Sequence, residues 1–239
     1  MRAAGEIVVR ALDALEEALA PGITTAELDR IAEEVITSAG ATPSFKGYKG
    51  FPASICTSPN DVIVHGIPDD HELADGDIIA LDVGALYEGF HADSAWSYAV
   101  GEPSEEARNL LKVTEESLNA AIAMCRPGNR IGDLGHAVEM VASDAGYSVV
   151  REYVGHGVGR ALHEDPPIPN YGPPGRREIL SPGMTLAVEP MVNAGGPETA
   201  ILADRWTVVT ADGSLSAHFE HTVAITPEGF QVLTGRTQR

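Results

Sequence analysis

Two stretches, Gly76-Asp-Ile-Ile-Ala-Leu-Asp82 and Gly183-Met-Thr-Leu-Ala-Val-Glu189, share one pattern: a glycine, an apolar run, and a carboxylate at its end. The likeness extends outward. Pro21-Gly22 is followed by Glu27-Leu28 and Ala39-Gly40, and their counterparts Pro127-Gly128, Asp133-Leu134 and Ala145-Gly146 each lie 106 positions further on. One further residue of slip lays Asp82 over Glu189. Self-similarity across half a chain points to duplication, and a site between related halves draws one acid from each. The expected organisation is one domain, residues 1–239, with pseudo-repeat halves near 1–115 and 116–239.

Four carboxylates and a histidine stand out against their surroundings. Asp82, Asp93, Glu189 and Glu220 lie in segments that read as strand interior, and His156 lies in Gly155-His-Gly-Val-Gly159. An unpaired charge in such a place costs several kcal/mol, so acids buried together imply cations to hold. Four negative charges match two divalent ions, and hydrolysis is a natural use for such a pair. A hairpin turning at Tyr87-Glu88-Gly89 places Asp82 across from Asp93, where like charges repel unless they share a cation. In Ala217-His-Phe-Glu-His-Thr222, strand alternation puts Glu220 on one face with His218, and Phe219 and His221 on the other. His218 is therefore expected to orient Glu220, and His221 to be packed. His65, His156 and His163 each stand beside a glycine or a turn, and for each the structural and catalytic readings remain open at this point.

Composition excludes several classes. No run approaches the roughly 20 apolar residues of a membrane span, and Met1-Arg-Ala-Ala-Gly-Glu6 lacks the apolar core of a signal peptide. Cys56 and Cys125 are too few for a disulfide framework and fit a reducing cytoplasm. A formal charge of −19 opposes nucleic acid as a main ligand, because phosphate binding needs a basic surface. Periodicity predicts a first helix through Ile7, Ala11, Leu15 and Leu19, and a second from Thr24 or Thr25 to about Ser38. It predicts a third begun by Ser104 and a fourth over 131–145. Strands are predicted at 54–64, 78–86, 90–100, 147–150, 185–192, 207–210 and 217–226, with a surface loop at 172–175. Paired helices and runs of hairpin strands make an α+β pattern.

One ordered series of motifs reaches a family. His65-Gly-Ile-Pro68, Leu81-Asp-Val83, Phe90-His-Ala-Asp-Ser-Ala-Trp96, Gly155-His-Gly-Val-Gly159, His163-Glu-Asp-Pro166, Glu189-Pro-Met-Val192, Trp206-Thr-Val-Val-Thr210 and Phe219-Glu-His-Thr222 follow in that order. The series resembles the type I methionine aminopeptidases, in the bacterial branch without an N-terminal extension, over essentially the whole chain. The resemblance implies a "pita-bread" fold: pseudo-twofold halves, a curved antiparallel sheet, and helix pairs on its outer face. Phe51 departs from a tyrosine found in some members, keeping the ring and losing one hydroxyl. The long insertion between His163 and Glu220 that marks the type II class is missing.

What the resemblance implies about residues is specific. Asp82, Asp93, His156, Glu189 and Glu220 match the ligands of two divalent ions, with Asp93 and Glu220 bridging. Glu189 doubles as general base, His163 contacts the scissile carbonyl oxygen, and His65 the substrate backbone. Tyr48, Phe51, Cys56, Leu162 and Trp206 match the lining of a methionine side-chain pocket, joined by His65 and His163. Asn60, Val62 and Ser216 match a monovalent-cation site for Na or K. The oxygen-rich donor set suits Mn, Fe(II) or Co, with Zn a further candidate. Two such ions lower the pKa of a shared water toward about 7, making hydroxide available for attack on the terminal peptide bond. The implied substrates are nascent polypeptides that begin with Met and have a small second residue. The implied protein is a cytoplasmic monomer with a transient ribosome contact, for which Lys46 and Lys49 are the local cations, and with no nucleic-acid or membrane partner. Two other readings stand beside it: a proline-directed aminopeptidase, and a pita-bread protein that binds partners without catalysis.

Overall fold

The structure is a computed structural model that describes residues 1–235. Helix α1 spans Arg2–Ala18 and buries Ile7, Ala11, Leu12 and Leu15 along one face. It ends before Pro21-Gly22, where Gly22 takes φ 91°. Helix α2, Thr25–Ser38, starts where the Thr24 hydroxyl accepts the Glu27 N–H at 3.2 Å, a cap worth about 1 kcal/mol. Ser104 opens α3, Glu105–Ala123, by accepting from the Ala107 N–H at 3.1 Å. At α4, Ile131–Asp144, the Asp133 carboxylate reaches back to the Arg130 N–H at 2.7 Å.

The strands group by halves. In the first, the hairpin Ile78–Tyr87 and Phe90–Ala99 is extended by Ile55–Pro59 and by the short Thr42–Pro43, both paired with Ile78–Tyr87. In the second, five antiparallel strands run in the order Gly229–Val232, His221–Thr226, Thr185–Val188, Gly155–Gly157, Glu164–Ile168. Two three-stranded pieces complete the sheet system, one centred on Met191–Asn193 and one on Val208–Thr210. Helices α1 and α2 cover the first half through Leu12, Leu15, Leu28 and Ile36 against Ile79, Leu81 and Val83. Helices α3 and α4 cover the second through Leu110, Leu118, Leu134 and Val138 against Leu186, Val188, Val223 and Ile225. Each such burial is worth about 1.5–3 kcal/mol, and Trp96 packs on both cores.

The two halves share backbone details. Gly22 and Gly128 share φ 91°, and Gly76 and Gly183 share φ 96°. A single β-bridge joins Thr24 to Glu72 in the first half, and Arg130 to Ile179 in the second. Both connect the start of the second helix of a pair to the segment leading into the acid-bearing strand. This is the α+β, pita-bread architecture that the resemblance implies.

Three predicted strands are broken, and the breaks matter. The segment predicted over 54–64 divides at Asn60, which takes φ 52°. That over 185–192 divides at Glu189-Pro190, where proline has no N–H for a ladder. That over 217–226 divides at Phe219-Glu220, so Ser216–His218 and His221–Thr226 belong to different sheets. The short strands Gly155–Gly157, Glu164–Ile168, Thr199–Ile201 and Gly229–Val232 carry too little alternation to announce themselves. The hairpin register also needs correction. Asp82 pairs with Ala95, and Asp93 with Gly84, because the two-residue turn is Glu88-Gly89, with φ 49° and 79°. A shift of two residues keeps both aspartates on one face, so they are diagonal neighbours rather than opposite ones.

Candidate active site

The seam between the halves is stitched by hydroxyls. Thr222 Oγ1 accepts the Asp93 N–H at 3.0 Å and donates to the Asp93 carbonyl at 2.7 Å. Ser94 donates to the Glu220 carbonyl at 2.6 Å, Ser97 to that of His218 at 2.8 Å, and the Glu220 N–H donates to Ala95 O at 2.8 Å. These bonds bring the hairpin's Asp93 and the second half's Glu220 to one place. The strand Gly155–Gly157 delivers His156 there. A Cβ on Gly155 would collide with Ala187 O, and one on Gly157 with Asp165 O, so only glycine admits this close packing.

The result is a cluster of acids that, among the described residues, has only histidines and no lysine or arginine at ion-pair distance. Ligating atoms of Asp93, His156 and Glu220 lie within 4.8 Å of one another. His156 Nε2 is 3.5 Å from Glu189 Oε1 and 4.0 Å from Asp93 Oδ2. His156 Nδ1 sits 2.8 Å from the Gly157 carbonyl; a carbonyl only accepts, so Nδ1 carries the proton and the Nε2 lone pair faces the acids. Burial, then the charge of Glu189, pushes the Asp82 carboxyl up to about 8. Burial followed by neighbouring acids also raises Asp93, Glu189 and Glu220 well above the carboxylate range. Asp82 Oδ1, Asp93 Oδ1 and Glu220 Oε1 are buried with no hydrogen-bond partner among the described residues. Buried polar atoms are nearly always satisfied, so three orphaned carboxylate oxygens in one cluster fit a divalent cation. The donor set, oxygens with one imidazole, suits a hard or borderline ion.

Above the acids opens a cavity of about 150 Å³, walled by Tyr48, Phe51, Cys56, His65, His163 and Trp206, with Asp82, Asp93, His156, Glu189 and Glu220 at its floor. Leu162 packs behind it in a cluster with Phe45, Phe51, Ala53 and Cys56. Phe51 meets Trp206 edge to face at 5.2 Å, and Tyr48 stacks on His163 at 5.3 Å between ring centroids. Burial, then His156, lowers His163 to about 4, and burial lowers His65, so both rings are neutral donors near pH 7. Burial, then Asp82, holds the Cys56 thiol protonated, and it lines the pocket as a small apolar group. Asn60 and Ser216 also meet: the Ser216 N–H donates to Asn60 O at 2.8 Å, and Val62 begins the adjoining strand Val62–Val64.

Some contacts were not legible beforehand. His218, expected against Glu220, lies with Nε2 3.6 Å from Glu189 Oε2, because the chain break at Phe219-Glu220 separates the two residues. His221 is packed as expected, its Nδ1 3.0 Å from Thr234 Oγ1 and its ring 5.5 Å from that of Trp96. Phe45 and Lys49 also line the cavity. Lys49 stands between Tyr48 and Gly50 at φ 48°, an unusual backbone for a non-glycine residue, and sequence carries no mark of it. Tyr153, whose ring meets His65 edge to face at 5.7 Å, was likewise silent.

Comparison with known proteins agrees with this geometry. The model of metallopeptidase family M24 matches residues 1–227. A methionine aminopeptidase of Bacillus subtilis is 55% identical over 234 residues, covering 98% of this chain and 94% of that protein. One of Escherichia coli is 43% identical over 238 residues, covering 99% and 90%. The crystal structure of methionine aminopeptidase from Rickettsia prowazekii superposes with a TM-score of 0.97 at 43% identity, covering 98% of this chain and 95% of that one. Prolidase from Pyrococcus furiosus, at 24% identity and a TM-score of 0.81, shares the fold, with this chain covering 63% of its length. The chain belongs to metallopeptidase family M24 and, within it, to the bacterial methionine aminopeptidases.

Proposed function

We propose that the protein is a metal-dependent aminopeptidase that removes the N-terminal methionine from peptides and nascent proteins whose second residue is small. The observation that carries the reading is the convergence of two buried carboxylates, Asp93 and Glu220, two half-buried ones, Asp82 and Glu189, and His156 directly beneath an aromatic and thiol-lined pocket. Such a wall suits the flexible, polarisable thioether of methionine. Asp82, Asp93, His156, Glu189 and Glu220 would hold two divalent ions, of Mn, Fe(II) or Co. When bound, they would polarise the scissile carbonyl and make water acidic enough to react at neutral pH.

The chain's own residues supply the rest. Glu189 takes a proton from the attacking water and passes it to the leaving amine. His163, neutral and stacked on Tyr48, donates to the carbonyl oxygen as charge develops there. His65, braced by Tyr153, orients the substrate backbone. Tyr48, Phe51, Cys56, Leu162 and Trp206 form the methionine pocket. Asn60, Val62 and Ser216 hold a monovalent cation where strands of both halves meet. The protein acts as a monomer in the cytoplasm, on chains emerging from the ribosome.

The test is release of free methionine from a Met-Ala-Ser peptide by the metal-free protein, repeated after addition of Mn, Co or Fe(II), with an Ala-Pro peptide as control. Methionine release that appears only with metal is expected. Cleavage of the Ala-Pro peptide alone would move the protein to the prolidase side of the family. Silence toward both peptides, with metal bound, would make it a binding protein.

A further inference from the structure

His218 is 2% exposed, and its Nε2 has no hydrogen-bond partner among the described residues. Its backbone is pinned on both sides, the N–H donating to Ser97 Oγ at 2.9 Å and the carbonyl accepting from the same hydroxyl at 2.8 Å. In the strand pair it stands across from Met191, two residues beyond Glu189. The ring therefore has a fixed reach, and Nε2 ends 3.6 Å from Glu189 Oε2, a few tenths of an ångström beyond a hydrogen bond. The other oxygen, Oε1, is 3.5 Å from His156 Nε2. The two oxygens of one carboxylate are thus divided between two histidines.

Glu189 needs such a hold. Pro190 and the Asn170 amide, which donates to the Glu189 carbonyl at 3.0 Å, fix its backbone but leave the side chain free to turn. Beside it lies a second cavity of about 110 Å³, bounded by Val64, Tyr153, Met191 and His218 and also by Asp82, His65 and His163. A carboxylate without a partner at Oε2 would be free to turn within this space, and Oε1 would lose its fixed direction. Among the described residues, only His218 offers a nitrogen to Oε2.

We infer that His218 is a positioning residue: its Nε2–H holds Glu189 Oε2 and so keeps Oε1 turned toward His156 and the substrate. The inference rests on the role given to Glu189 under Proposed function. It assigns His218 to Glu189 rather than to Glu220, its nearer neighbour in sequence.

The experiment compares wild type, H218L and H218Q in two assays: methionine release from Met-Ala-Ser, and calorimetric titration of the metal-free proteins with Mn(II) alone. Leucine keeps the bulk and loses the donor, whereas the glutamine amide N–H reaches the place of Nε2. H218L is expected to lose about 10- to 100-fold in kcat, with KM within about twofold, and to bind Mn(II) about tenfold more weakly. H218Q is expected to recover both to within about threefold of wild type. H218L with wild-type kcat and Mn(II) affinity would overturn the inference, as would H218Q impaired as badly as H218L. Should H218L fail to fold, H218N replaces it: its shorter amide cannot reach Oε2, so impairment like that of H218L is expected, and parity with H218Q overturns. A wild type that releases no methionine defeats the proposed function instead, and the Mn(II) titrations then decide the case of His218 alone.

Discussion

His163 shows how one residue's surroundings set its chemistry. Its ring stacks on Tyr48 at 5.3 Å and lies tilted against His156 at 4.1 Å between centroids, and burial lowers it to about 4. It is thus a neutral donor at working pH, held at the mouth of the acid cluster without being part of it. His163→Ala is expected to lower kcat by about 10²–10³-fold, the usual cost of removing one donor to a developing oxyanion, with metal content unchanged. Loss of bound metal in that variant, read by elemental analysis, would make His163 a ligand. At this scale the sequence was informative where chemistry is unusual. Acids inside apolar strands, and a histidine between glycines, are costly enough to mean something. It set His218 against Glu220, read Lys49 only as a local cation and was silent about Phe45, because the places of these residues come from where distant chain segments end. The neighbour of His218 in space, Glu189, is 29 positions away.

At the scale of elements, the four helices were legible because each has an apolar stripe and, for three of them, a side chain that satisfies a free N–H at the start. Strands were legible only as apolar runs. Their breaks at Asn60, Glu189-Pro190 and Phe219-Glu220 were not, since each kink serves a tertiary need: two of the three present a carboxylate to the site. The hairpin error came from placing the turn one residue early, which moves every pair by two. The hydroxyl seam was invisible for a simpler reason, its partners being more than 120 residues apart. Thr222→Val tests that seam. It removes a buried hydroxyl that serves both the N–H and the carbonyl of Asp93, and an unsatisfied buried group costs about 1–3 kcal/mol. Urea denaturation of the metal-free protein should show a loss of that size, together with weaker metal binding. A variant as stable as wild type would mean that the seam is held by packing alone.

For the whole molecule, the acid cluster trades stability for a binding site. Asp82 holds its proton up to about 8 in the folded state, against an ordinary value of 3.8. Between those values the folded form binds a proton that the unfolded form has lost, so stability falls as pH rises. The contribution is fully present below about pH 4 and is lost as pH climbs through about 8. The raised carboxyls of Asp93, Glu189 and Glu220 act in the same direction. The metal-free protein is therefore expected to melt at a progressively lower temperature from about pH 5 to about pH 8. Mn(II), binding the folded form alone, should restore the loss at the upper end. A melting temperature that stays flat across this range without metal would contradict the burial of these acids. The likeness of the two halves was readable at this scale, because the paired glycines at 22 and 128, and at 76 and 183, are local signals. The meeting of the halves was not, because it depends on both halves at once.

Methionine release from Met-Ala-Ser by wild type and Asp93→Ala, each with its bound metal counted, decides whether acids from both halves form one metal-dependent hydrolytic centre with Asp93 at its middle. Two ions and sustained release are expected for wild type, and for the variant a folded protein with the ion pair and the activity both lost. Normal turnover by Asp93→Ala would contradict such a centre.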